Sequence, residues 1–125
     1  MEAINMKKEV LERLETFPQK IFEKEVELLQ KVDDLDELKL KIGLLELQVY
    51  NKVMEEVDEE GKKLFSNKEK RDVETKSRLD KLVDFGEMSK GIKNLRKDID
   101  TDKLLVSFLK RKFRSAECFV KGGEE

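Results

Sequence analysis

The sequence predicts an all-α protein: a long antiparallel helical hairpin of the coiled-coil type with a short N-terminal helix, expected to assemble into a helical bundle. Three observations carry that expectation. The first is composition, with 45% charged and 38% hydrophobic residues, one proline and no tryptophan in 125 residues. So little apolar material cannot fill a thick globular core, whereas abundant Glu, Lys and Leu suit long helices. The second is a pair of heptad seams. Ile21, Leu28, Leu35, Ile42 and Val49 recur every seven residues, with Leu38 and Leu45 three residues after two of them. Phe85, Ile92, Ile99, Val106 and Phe113 form a second series, accompanied by Met88, Leu95 and Leu109. Such spacing keeps one helix face against a partner helix. The third is a polar stretch around Gly61 that separates the two seams. Disorder is the other outcome of high charge density, but it accompanies a large net charge and few branched aliphatics. Here the net charge is only -2 and the aliphatics are periodic.

Taken in order, residues 2–15 read as a short amphipathic helix with Ile4, Leu11 and Leu14 on one face. Thr16-Phe17-Pro18-Gln19 then resembles a capping box with proline in the first turn, so a new helix or a sharp bend is expected there. A long helix follows over 18–57. The tip occupies 58–66, with Gly61 suited to a left-handed conformation and Ser66-Asn67-Lys68-Glu69 offering a second capping box. The return helix spans 67–118. Gly86 and Gly91 each weaken it by about 1 kcal/mol relative to alanine, and Asp102 interrupts its seam, so a kink or break is expected between 86 and 102. A tip near Gly61 places Leu38 near Phe85, Leu35 near Met88, Val32 near Ile92 and Leu28 near Leu95. Leu105, Phe108, Leu109 and Phe113 are then left to pack against the N-terminal helix. The whole reads as one domain over 1–121, with 122–125 as a disordered tail.

The segment Leu38–Tyr50 carries apolar residues on two faces. Leu38, Ile42, Leu45 and Val49 lie on the seam, whereas Leu40, Leu44 and Leu47 run two residues out of phase, about 200° round the helix. One partner helix cannot cover both faces. Leu40, Leu44 and Leu47 are therefore the expected oligomer or partner interface.

Composition also narrows the chemistry. The chain has no histidine, the commonest metal ligand and neutral-pH acid-base group, and a single cysteine, Cys118. No nucleophile, base or metal constellation appears, so no enzyme activity, cofactor or metal site is expected. One cysteine suits a reducing cytosol, and no apolar run reaches signal-peptide or membrane-spanning length. The expected localisation is cytoplasmic, without membrane insertion. Asp98-Ile99-Asp100-Thr101-Asp102 imitates the start of a calcium loop, but Lys103 and Leu109 stand where glycine and glutamate are needed. Gly61-Lys62-Lys63 lacks the remaining residues of a phosphate loop. The acidic run Glu55 to Glu60 reads as a solvated helix end, unfavourable to the helix dipole there. Lys110, Arg111, Lys112 and Arg114 form the one concentrated basic segment. It suits phosphate contacts to nucleic acid, with Phe119 available to stack, but reads first as a flank of the seam whose cations pair with acids across it.

The run Gly61-Lys62-Lys63-Leu64-Phe65-Ser66-Asn67-Lys68-Glu69-Lys70-Arg71, with the later Leu109-Lys110-Arg111-Lys112-Phe113-Arg114, resembles small helical-hairpin proteins of phages and prophages over residues 18–116. In those, an aromatic-Ser-Asn-x-x-x-Arg segment caps the return helix and a basic-aromatic segment closes it. The resemblance implies a helical hairpin in a bacterial or archaeal host cytoplasm, in the context of phage replication and recombination. It carries over no catalytic residue. Together these readings lead to a non-enzymatic assembly or adaptor protein acting through protein-protein contacts. The alternative is an accessory DNA-binding protein using the basic segment.

Overall fold

The computed structural model describes residues 2–123, with side chains from Met6 to Gly122. Three helices follow in order: α1 over Glu2–Glu55, α2 over Lys68–Asp80 and α3 over Val83–Gly123. Among the described residues there is no strand, only an isolated bridge between Val57 and Lys63. α1 packs against α3, so the architecture is a helical hairpin. Packing divides it into two compact units, Asp34–Arg96 and a second made of Met1–Asp33 with Lys97–Glu125.

α1 does not break at Pro18. The expected junction between helices 2–15 and 18–57 is a single helix with the proline inside it. Pro18 removes one backbone donor, yet Leu14, Phe17 and Ile21 continue the half-buried face on either side, and a shared buried face outweighs one lost helical bond. Thr16 does not cap. Its hydroxyl donates back to the Glu12 carbonyl at 2.8 Å, within the helix. Ile4 lies outside the residues whose side chains are described.

In the unit Asp34–Arg96, Val49, Val53 and Leu79 form the buried core, with Leu45, Phe65 and Phe85 packed against it. The tip is tightly built. Asp58 Oδ1 accepts from the backbone N–H groups of Glu60 and Lys62, both at 2.9 Å, and Gly61 takes φ +80°. That positive φ requires glycine, as expected, but it turns the loop rather than ending α1, which stops at Glu55. Asn67, not Ser66, is the N-cap of α2, its Oδ1 accepting from Lys70 N at 2.8 Å. The return helix breaks, but not between 86 and 102. The corner lies at Lys81–Leu82, where the N–H groups of both residues bond three residues back, to Arg78 and Leu79. Gly86 and Gly91 sit inside α3, and Asp84 favours the new helix start through its charge.

This corner corrects the expected register. Leu79 before it and Phe85 after it both reach the core around Val49, so the five residues between them gain no ground along α1. Leu38 consequently meets Gly91 and lines a groove with Leu95, rather than lying near Phe85. In the other unit, Asp102 lies between Lys24 and Lys31, level with Leu28, where Leu95 was expected. The displacement is one heptad, which keeps the same seam faces in contact. Ile99, Val106 and Ala116 are buried there, whereas Leu105, Phe108 and Leu11 stay exposed, so the expected cluster at that end forms only in part. Instead Met6, Val10 and Arg13 line a 330 Å³ cavity with Ala116 and Phe119. α3 also continues through Gly122 and Gly123, two residues assigned to a disordered tail; neither adopts a positive φ, and no breaker precedes them. Glu124 and Glu125 lie outside the described residues.

Candidate functional site

The outer face of α1 in the unit Asp34–Arg96 is the surface that packing leaves unexplained. Burial of Leu35, Val49 and Val53 fixes which side of the helix faces inward. Helical periodicity then turns Leu40, Leu44 and Leu47 outward, and they are 66%, 53% and 54% exposed. Single exposed apolar residues are ordinary, but three at i, i+4 and i+7 form a stripe. Beside it, Gly43 has nothing within 4 Å of where a Cβ would stand. The glycine floors a 370 Å³ groove between α1 and α2, walled by Leu47, Tyr50, Thr75 and Leu79. Lys41 pairs with Glu37 at 3.4 Å along one rim, both well exposed.

The four residues of the basic segment lie on α3 but do not converge as free cations. Lys110 Nζ is held by Glu25 at 3.1 Å, the cross-seam pairing that flanking positions favour. Lys112 stands over the Phe108 ring at 5.5 Å, and Arg111 donates to Ser107 Oγ at 3.4 Å along its own helix. Arg114 is exposed. Phe113 is half-buried in the seam, while Phe119 lines the cavity beside Met6 and Val10. Cys118 is an exposed free thiol.

Sequence reasoning missed a polar layer in the seam. Asp102 is only 5% exposed and receives Lys31 Nζ at 2.7 Å and Lys24 Nζ at 3.5 Å. The Lys31 hydrogen bond holds the Asp102 carboxyl below its ordinary range, aided by the charges of both lysines and opposed by desolvation. Lys24 is raised, first by its hydrogen bond to Glu27 and then, against desolvation, by Asp102. A usable signal was present: Lys24 and Lys31 stand fourteen and seven residues ahead of Leu38, at the same seam position.

A second polar arrangement locks the tip. Arg78 forks onto Glu56 with Nη1 and Nη2 at 2.7 and 2.6 Å, bonds Glu74 through Nε at 2.9 Å, and stacks over Phe65. These bonds lower the Glu56 pKa and raise that of Arg78 further. Arg71 donates to Tyr50 Oη at 3.1 Å and to the Phe65 carbonyl at 3.4 Å. Both arginines act as braces between the loop and its helices.

Among the described residues no group of His, Cys, Asp and Glu is arranged to hold a metal ion, and no helix is long and apolar enough to cross a membrane. No family model, curated protein or solved structure matches this chain.

Proposed function

We propose that this protein is a non-enzymatic helical assembly protein, a bundle-forming oligomer whose contact surface is the Leu40–Leu44–Leu47 stripe. One observation carries the reading: after α2 and α3 have packed, the outward leucines of α1 remain more than half exposed. Water contact with three leucines is a standing cost that association relieves, at roughly 25 cal/mol per Å² of apolar surface covered. The braced tip and buried seam give that surface a rigid support, so little ordering is required when it is covered. The resemblance to phage hairpin proteins suggests a cytoplasmic setting in an infected or lysogenic host.

Light scattering coupled to size-exclusion chromatography, run across protein concentration, tests the proposal. The parent chain is expected to self-associate, and Leu44→Asp to give a folded monomer with unchanged helical circular dichroism. A parent that stays monomeric at high concentration, or a Leu44→Asp variant of undiminished size, refutes self-assembly through this face.

A further inference from the structure

We infer that the unit Met1–Asp33 with Lys97–Glu125 carries a separate contact between copies, in which the basic outer edge of α3 receives the acidic outer edge of α1 from another copy lying antiparallel to it. The contact lies apart from the Leu40–Leu44–Leu47 stripe and does not depend on it.

Charge is the first argument. Ile21 and Leu28 of α1, and Ile99, Val106 and Phe113 of α3, mark the seam in this unit, so the second, third and sixth positions of each heptad counted from them point away from the partner helix. On α1 those positions hold Glu9, Glu12, Glu15, Glu23 and Asp33 against one cation, Lys8. On α3 they hold Lys97, Arg111, Arg114 and Lys121 against one acid, Asp100. All are exposed, and none is held in an ion pair among the described residues. The flanking positions keep the contrast: Arg13 and Lys20 offset Glu25 and Glu27 on α1, whereas Lys103, Lys110 and Lys112 outnumber Asp98 and Glu117 on α3. The two edges of this unit are therefore of opposite sign.

Apolar residues decide between occupants. Phe22, Val26 and Leu29 stand exposed among the acids of α1, and Leu104 and Phe108 among the cations of α3. A nucleic acid backbone would engage the α3 cations alone and leave the other edge and both apolar groups in water. A second copy covers all of them, with charge selecting the partner and apolar area supplying affinity.

Register favours the antiparallel arrangement. With Val26 level with the gap between Leu104 and Phe108, Glu12 comes within one residue of Lys121, Glu23 within two of Arg111, Asp33 within two of Lys97 and Glu15 within three of Arg114, all under about 5 Å along the helix. Two like-charge approaches remain at these positions, Asp33 to Asp100 and Lys8 to Lys121, each beside the opposite charge of Lys97 or Glu12. A parallel α1 centred in the same way leaves Lys121 beyond Asp33 and sets Glu9 and Glu12 short of Lys97. Because the two edges differ, the contact is heterologous: a copy filled on one edge still offers the other, and assembly proceeds to a ring or a chain.

The Leu44→Asp chain isolates this contact from the stripe. In light scattering it is expected to be a monomer at about 0.5 M salt and to grow with protein concentration at about 0.02 M, where charges act over a several-fold longer distance. Two charge-reversed versions of that chain, Arg111→Glu with Arg114→Glu and Glu15→Lys with Glu23→Lys, should each associate about tenfold more weakly at low salt. An equimolar mixture of the two should recover the association, because the reversed edge of one then meets the reversed edge of the other. A Leu44→Asp chain that is monomeric at both salts, or equally associated at both, overturns the contact, as does a mixture no larger than its components. A monomer that instead binds a DNA duplex at about 0.02 M salt assigns the α3 edge to phosphate and overturns it as well. The parent chain at about 0.5 M salt reads the stripe alone, so the two contacts fail separately.

Discussion

The one-heptad displacement of α3 along α1 has a direct thermodynamic test in two glycines. Replacing glycine by alanine inside a helix stabilises by about 1 kcal/mol, chiefly by restricting the unfolded chain. At Gly43 the added methyl meets nothing within 4 Å, so Gly43→Ala should retain the full gain. At Gly91 the added Cβ stands 2.9 Å from Leu38 Cδ2, closer than carbon atoms tolerate. Leu38 must leave its rotamer or the helices must part, at a cost of about 0.5–1.5 kcal/mol, which cancels the gain. Unfolding entropy scales with length, and 125 residues give about 0.26 kcal/mol per degree, so 1 kcal/mol moves Tm by about 4 °C. Thermal unfolding followed by circular dichroism, at a concentration where the chain is monomeric, should show Gly43→Ala melting about 4 °C higher and Gly91→Ala near the parent. An equal rise in both variants would mean that Leu38 does not lie against Gly91. The register built on the Lys81–Leu82 corner would then be wrong.

Two further outcomes follow from burial. Val53 is fully buried, so Val53→Ala removes about two methyl groups' worth of transfer energy and leaves a cavity, costing about 2–3 kcal/mol in urea unfolding; a loss under 0.5 kcal/mol would show that the core is not centred there. The Asp102 carboxyl is depressed below its ordinary 3.8, so its contribution is complete above that value and is lost as pH falls through the folded pKa. Asp102→Asn should therefore flatten the acid limb of the stability profile below about pH 4, and an unchanged acid limb would show that the lysines do not hold this group.

Much of the fold was legible because heptad spacing reports directly on which residues face a neighbouring helix. Leu35, Val49, Ile99 and Val106 were all on the expected seams and are buried. The outward leucines were legible for the same reason, since their phase places them opposite those seams. The junctions were harder. Pro18 and Thr16 are helix-start signals locally, but apolar positions continue in phase across them, and packing prevailed over the cap. The corner at Lys81–Leu82 carries neither glycine nor proline, and its turn is made by backbone bonds that any residues can supply. Without it, counting back from Gly61 gives a register wrong by seven residues. The basic segment was legible as charge but not as arrangement, because sequence does not reveal that Glu25 reaches Lys110.

The Lys24–Asp102–Lys31 layer bears on why the seam settles in one register at all. A heptad repeat is indifferent to slips of seven residues, since each slip presents the same kind of apolar face. Asp102 removes that indifference. In the observed register it stands between two lysines and bonds both. A slip of one heptad in one direction would set it between Phe17 and Lys24, and in the other between Lys31 and Leu38. Either slip leaves the carboxylate one cation instead of two and takes from the other lysine its partner across the seam. A poorly paired charge in a seam costs more than the pair contributes when it is complete, so the layer penalises wrong registers more than it stabilises the right one. The apolar seam therefore supplies the driving force for α1 and α3 to pair, and the Asp102 layer within it selects how far along they do so.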